Sequence, residues 1–197
     1  MVDNKHKSKQ HKSGTKGRRI PYFWVMAVVL LLGAMSLVYF NRGIITRYRS
    51  FFTFPARTWD ATLLFGDERT DFLIQEHRMI TSSMAPEEQA KALIKELIRG
   101  PLARGIRTLP KETTLRSVTM ERNGLLTIDF GPELLRLHPG GSSAELMTIY
   151  SIVNTLTANI TEAKKVQFLF NGKPVETIAG HIDCSDPIYP KQEMVQQ

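Results

Sequence analysis

The chain has 197 residues, room for one ordinary domain and an appendage, and a formal charge of +7. That charge is unevenly placed: residues 1–19 hold seven bases against Asp3, Arg42, Arg47, Arg49 and Arg57 add four, and from Thr58 onward 15 bases face 18 acids. A region with that balance lacks the electrostatic footprint of a nucleic-acid binder, and a single cysteine, Cys184, excludes an internal disulfide.

Residues 1–19 are almost free of apolar side chains and are expected to form a disordered basic tail. Residues 20–41 carry no formal charge and are rich in Val, Leu, Met and aromatics. At about 1.5 Å per residue such a run crosses a hydrocarbon core of roughly 30 Å, so it reads as a single transmembrane helix. Tyr22, Phe23 and Trp24 at one end and Tyr39 and Phe40 at the other suit the two lipid–water boundaries. The heavier basic cluster precedes the run, which places the N-terminus in the cytoplasm and the following domain outside it. The run exceeds a signal-peptide core and Ala34-Met35-Ser36 is a poor cleavage site, so the helix is read as uncleaved. Residues 42–57 are basic and aromatic, and form a juxtamembrane linker.

The domain is expected over residues 58–187, with a C-terminal tail at 188–197. Ala61 to Phe65 and Phe72 to Glu76 read as the first two strands, joined at Gly66-Asp67. Pro86-Glu87-Glu88 opens a helix whose apolar positions Ala90, Leu93, Ile94, Leu97 and Ile98 share one face, and Gly100-Pro101 ends it. Asn123-Gly124 and Asn171-Gly172 each predict a hairpin with a type I′ turn. The first joins Arg116–Glu121 to Leu125–Phe130, the second Val166–Phe170 to Val175–Ala179. Between them Ser142 and Glu145 form the S-x-x-E pattern of a capping box, followed by a helix that is apolar over most of its circumference. The order predicts an α+β fold with two helices packed on a largely antiparallel sheet, preceded by the transmembrane helix.

These motifs resemble, in order and content, the GerM domain of sporulation and spore-germination proteins. The likeness is carried by Leu97-Ile98-Arg99-Gly100-Pro101, Leu115-Arg116-Ser117-Val118 and Leu126-Thr127-Ile128-Asp129-Phe130. It is carried further by Gly140-Gly141-Ser142, Ile152-Val153-Asn154-Thr155-Leu156, Gly172-Lys173-Pro174-Val175 and Gly180-His181-Ile182-Asp183. It extends over about Trp59 to Pro187 and departs at Glu112 and Cys184. What the resemblance implies is a non-enzymatic cell-envelope module for protein–protein contact or assembly, with an envelope complex or a second copy as partner.

Some residues carry the types that catalysis or metal binding would use. Ser142, His181 and Asp183, or Ser142, His181 and Asp129, have the residue types of a nucleophilic relay, but Ser142 lacks the G-x-S-x-G elbow. His181, Asp183 and Asp186 offer metal ligands without a second histidine nearby, so no metal and no cofactor are expected. Gly140 and Gly141 precede a helix but match no phosphate-binding motif. Gly140, Gly141, Gly180, His181 and Asp183 therefore stand as a candidate surface for a partner or, alternatively, a cell-wall glycan or peptide. Cys184 reads as a small apolar residue, with an intermolecular disulfide as the sharper alternative.

Overall fold

The computed structural model describes residues 56–196, with Met26, residues 29–33 and Ser36. The latter seven residues are helical and belong to a separate unit. The tail at 1–19, most of the span at 20–41 and nearly all of the linker at 42–57 lie outside the described residues. Among the described residues no helix is long and apolar enough to cross a membrane.

Two long strands open the domain, β1 (Ala56–Gly66) and β2 (Leu73–Ser83), paired antiparallel over their whole length. They extend beyond the apolar runs because polar residues also pair: Thr58 and Thr81 lie opposite each other and share a hydroxyl hydrogen bond of 2.7 Å. Helix α1 (Pro86–Arg99) follows with Pro86, Glu87 and Glu88 in its first turn, and buries Ala90, Leu93, Ile94 and Leu97 as the periodicity predicts. Strands β3 (Leu115–Met120) and β4 (Leu125–Phe130) form the next hairpin. A short helix α2 (Glu133–Leu137) leads to α3 (Ser142–Asn159), then β5 (Lys165–Phe170), a two-residue β6 (Lys173–Pro174) and a 3-10 turn at Gln192–Met194.

The class is α+β, but there are two sheets in place of one: β1-β2, and β3-β4-β5-β6. In the second sheet β4 and β5 are parallel, Leu125 opposite Lys165 through Phe130 opposite Phe170. The reason is geometric. Helices α2 and α3 lie between the two strands and return the chain to the end where β4 began, which makes a crossover and not a hairpin.

The two Asn-Gly turns also differ. Asn171 and Gly172 both have positive φ, 51° and 76°, as a type I′ turn requires. At the first turn only Gly124 does, at 87°. There Gly124 N donates to Glu121 O at 3.0 Å and Glu121 N to Leu125 O at 2.9 Å, the three-residue loop whose last residue is left-handed.

Helix α3 lies at the centre. Ile149, Ile152, Val153 and Leu156 are fully buried, in one core with Leu63 and Phe65 of β1, Leu93 and Leu97 of α1, and Phe130 and Phe168 of the second sheet. Each such side chain contributes about 2 kcal/mol by leaving water. The helix also closes the outer edge of β1. Asn159 accepts from Thr62 N at 2.9 Å and donates to Thr62 O at 2.7 Å, and Thr155 Oγ1 accepts from Leu64 N at 3.0 Å. Gly66 exchanges both of its backbone bonds with Ile106. Alternate residues of a strand edge are thus satisfied by a helix and a loop, which removes a template for unwanted strand pairing.

Residues 188–196, expected as a tail, pack onto the domain. Ile188 exchanges backbone bonds with Val166, Lys191 is held by Asn154 through its N–H and its carbonyl, and Met194 joins Leu64, Leu73 and Met147 in a small apolar cluster.

Candidate functional site

Helix α3 contains a single charged residue, Glu145, among eighteen. Its side chain is fully buried, and a buried carboxylate must find donors. It finds them more than thirty residues away. Oε1 accepts from Ile178 N at 2.9 Å and Ala179 N at 2.7 Å, while Oε2 accepts from His181 N at 2.8 Å and lies 3.2 Å from His181 Nδ1. Burial alone would raise the Glu145 pKa, but the N–H groups of Ala179, His181 and Ile178 outweigh it and hold the carboxyl below its ordinary 4.5.

This arrangement overturns two expectations. Ser142 and Glu145 do not form a capping box: Gly141 is the N-cap, with φ 87°, and no side chain caps it. The residues expected as a return strand, Val175 to Ala179, are not one, because the N–H groups of Ile178 and Ala179 are turned onto Glu145 instead of a neighbouring strand.

The two predicted glycine segments meet at the first turn of α3. Gly141 O accepts from Glu145 N at 3.0 Å, and the side chain of the same Glu145 holds the segment that includes Gly180 and His181. Gly140 and Gly141 have φ of 81° and 87°, and a Cβ at either would meet nothing within 4 Å. Their requirement is conformational, since left-handed backbone disfavours any side chain. His138, unforeseen, secures them: its Nδ1 accepts from Gly140 N at 3.0 Å and its Nε2 bonds Thr148 Oγ1 at 2.9 Å. Thr148 Oγ1 lies 2.6 Å from Thr108 O and 2.9 Å from Ala144 O, where only its proton can go. The imidazole is therefore neutral with its proton on Nε2. Burial lowers its pKa from the ordinary 6.5.

Asp183 is not drawn into this group. Its Oδ1 accepts from Ser185 N at 2.8 Å, a local turn that lowers its pKa. Asp129 is also engaged elsewhere, with Gly172 N at 2.8 Å and Arg116 Nε at 3.1 Å. Ser142 is exposed and, among the described residues, bonds none of His181, Asp129 or Asp183. Neither relay is assembled. Among the described residues no three His, Cys, Asp or Glu side chains converge as metal ligands, and His181 faces Glu145 in place of Asp183 or Asp186.

Cys184 is fully buried, donates its N–H to Glu176 O at 2.6 Å, and its thiol is pushed up to about 12 by burial. The intermolecular disulfide is incompatible with that placement, since the sulfur would have to leave the core as a poor thiolate.

Beside the glycine segment lies an open apolar depression that the sequence did not announce. Ile106, Leu109, Leu137, Pro139, Ala144 and Met147 line it, and Leu137 and Ile106 are among the exposed large apolar side chains. Its walls come from three separate segments, so no single stretch of sequence displays it. The lone acid of α3 was a legible signal: a charge in an otherwise uncharged buried helix marks a partner elsewhere in the chain.

Comparison with known proteins agrees with this fold. The first GerMN domain of the sporulation protein GerM from Bacillus subtilis matches with a TM-score of 0.56 and 24% identity, over 67% of this chain and 98% of that one. The tandem GerMN domains of the same protein match with a TM-score of 0.55 and 20% identity, over 68% of this chain and 46% of that one. No curated protein matches. A family model described as sporulation and spore germination matches residues 62–176, more than half of the chain, and the chain belongs to that family, Germane, whose members carry the GerM-type domain.

Proposed function

We propose that this chain is a membrane-anchored, non-enzymatic module on the outer side of the inner membrane, and that its GerM-type domain binds a protein of an envelope complex or a second copy of itself. One observation carries the reading. Glu145, the only charge on α3, is spent on fixing the segment Ile178–His181, whose Gly180 and His181 are exposed, and His138 likewise fixes Gly140. The chemistry-bearing residues are thus used to hold backbone in a fixed shape, and the segment that His138 holds adjoins an open apolar depression. A preformed surface with an apolar centre and a polar rim suits protein association. The anchor at residues 20–41 is supported by the sequence run and by Met26, Val29, Leu30, Leu31 and Leu32, which are helical with between 59% and 68% of their surface exposed.

The test is site-specific photo-crosslinking in membranes of the source cell, with the probe at Leu137 or His181. A competable protein adduct, lost when the domain is unfolded, is the expected result. Saturable binding of cell-wall glycan or peptide fragments without any protein adduct would replace this reading with the wall-ligand alternative.

A further inference from the structure

The overall charge balance conceals a local segregation. From Lys91 to Lys111 the chain carries six bases, Lys91, Lys95, Arg99, Arg104, Arg107 and Lys111, against the single acid Glu96. The fold gathers four of them. Lys95, Arg99, Arg107 and Lys111 line one open depression. A second depression shares Lys95 and Arg99 and is bordered by Met79 and Leu102, whose surfaces are 70% and 64% exposed.

The neighbouring acids offset only part of this charge. Glu96 is 2.8 Å from the buried Arg78, which Glu76 also pairs at 2.5 Å, and 3.6 Å from Arg99, and Glu112 is 3.8 Å from Lys111, while among the described residues Lys95 and Arg107 pair with no carboxylate. Arg107 donates to the carbonyls of Ile98 and Arg99, which carry no formal charge. The result is a basic face with two protruding apolar side chains. Bases alone would serve an acidic protein or a soluble polyanion. Bases combined with exposed Met and Leu match a bilayer surface, where phosphates meet the bases and the apolar side chains enter the boundary with the acyl chains.

We propose that the face formed by Lys95, Arg99, Arg107 and Lys111, with Met79 and Leu102, docks the domain onto an anionic phospholipid surface. The proposal rests on residues 20–41 being an anchor. The intervening residues 42–55 then keep the domain within about 50 Å of the bilayer even when fully extended. Under that confinement weak contacts suffice, because the membrane is always within reach.

The full chain is reconstituted in nanodiscs of zwitterionic lipid, or of the same lipid mixed with phosphatidylglycerol, and treated with a limiting amine-acylating reagent. Modification at each lysine is read by mass spectrometry. Lys95 and Lys111 are expected to react about fivefold more slowly in the anionic discs, with the exposed Lys164 and Lys173 unchanged, and high salt abolishes the difference. The double variant Met79→Ser, Leu102→Ser keeps every charge and loses part of the protection. Equal rates in the two lipids overturn the proposal. So does protection that appears in detergent without lipid and grows with protein concentration, since that reports a protein contact. Anchoring is scored separately by resistance to alkaline extraction. If alkali releases the chain, the anchor reading falls and the same footprint with anionic vesicles decides the face alone, protection supporting it and its absence overturning it.

Discussion

Glu145 and His138 are the two residues on which the candidate surface depends, and both are tied to pH in the same direction. Each has a folded-state pKa below its ordinary value, so the unfolded chain binds more protons and stability falls on acidification. The contribution of His138 is complete above 6.5 and is lost as pH falls through its lowered pKa; that of Glu145 is complete above 4.5 and is lost below it. Urea midpoints measured from neutral to acid pH should therefore decline in two stages. His138→Asn, which keeps an acceptor for Gly140 N, should remove the earlier stage and leave the later one. Glu145→Ala leaves the N–H groups of Ile178, Ala179 and His181 without their acceptor, and should cost about 3 kcal/mol in the same assay at neutral pH. Nearby residues gave no signal for His138, and for Glu145 they marked a lone charge in a buried helix without naming its partner. The Ser142–Glu145 spacing fits a capping box, and only the long-range donors, which no local motif reveals, outcompete it.

Among the elements, α3 has the most varied work, since one helix fills the core, seals β1 and carries the site. Asn159→Leu should expose Thr62 N and O to a partnerless edge, and Thr155→Val should do so for Leu64 N, at about 1–3 kcal/mol each. Amide exchange at Thr62 and Leu64 should accelerate in these variants while that of the β3-β4 hairpin is unchanged. Helices α1 and α3 and the two turn positions were readable because their signals are local: Pro86 with its following acids, the apolar spacing of α1, the apolar run of α3 and the Asn-Gly pairs; the short α2 was not anticipated. The direction of β5 was not. Both β4 and β5 carry buried residues at alternate positions, a pattern common to parallel and antiparallel strands, and only the helices between them imply the crossover. The length of β1 and β2 was likewise hidden, because Thr58, Asp60, His77 and Thr81 are polar on an exposed face and carry no apolar signal.

At the scale of the whole molecule, charge and hydropathy divide the chain into a basic tail, an apolar run and an acidic domain. The charge subtraction and the apolar run at 20–41 motivate a tethered domain. Deleting residues 1–41 should release the chain from the membrane fraction and abolish its function in the cell, with the melting temperature of the domain unchanged. A truncated chain that remains membrane-bound would require another attachment. The apolar depression is assembled from three separate segments, which is why it could not be read before the fold was known. The four bases of the basic face lie in one short run, Lys95 to Lys111, and only their junction with Met79 of β2 needed the fold.

Amide hydrogen exchange of Ile178, Ala179 and His181 tests most directly whether a buried carboxylate holds this segment in a fixed shape. In the native chain these three amides should exchange much more slowly than the neighbouring Asp183 and Asp186 amides, and in Glu145→Ala they should exchange about a hundredfold faster, the loss of roughly 3 kcal/mol of protection. Exchange in the native chain as fast as at Asp183, or no change in the variant, would contradict the claim that Glu145 fixes the surface.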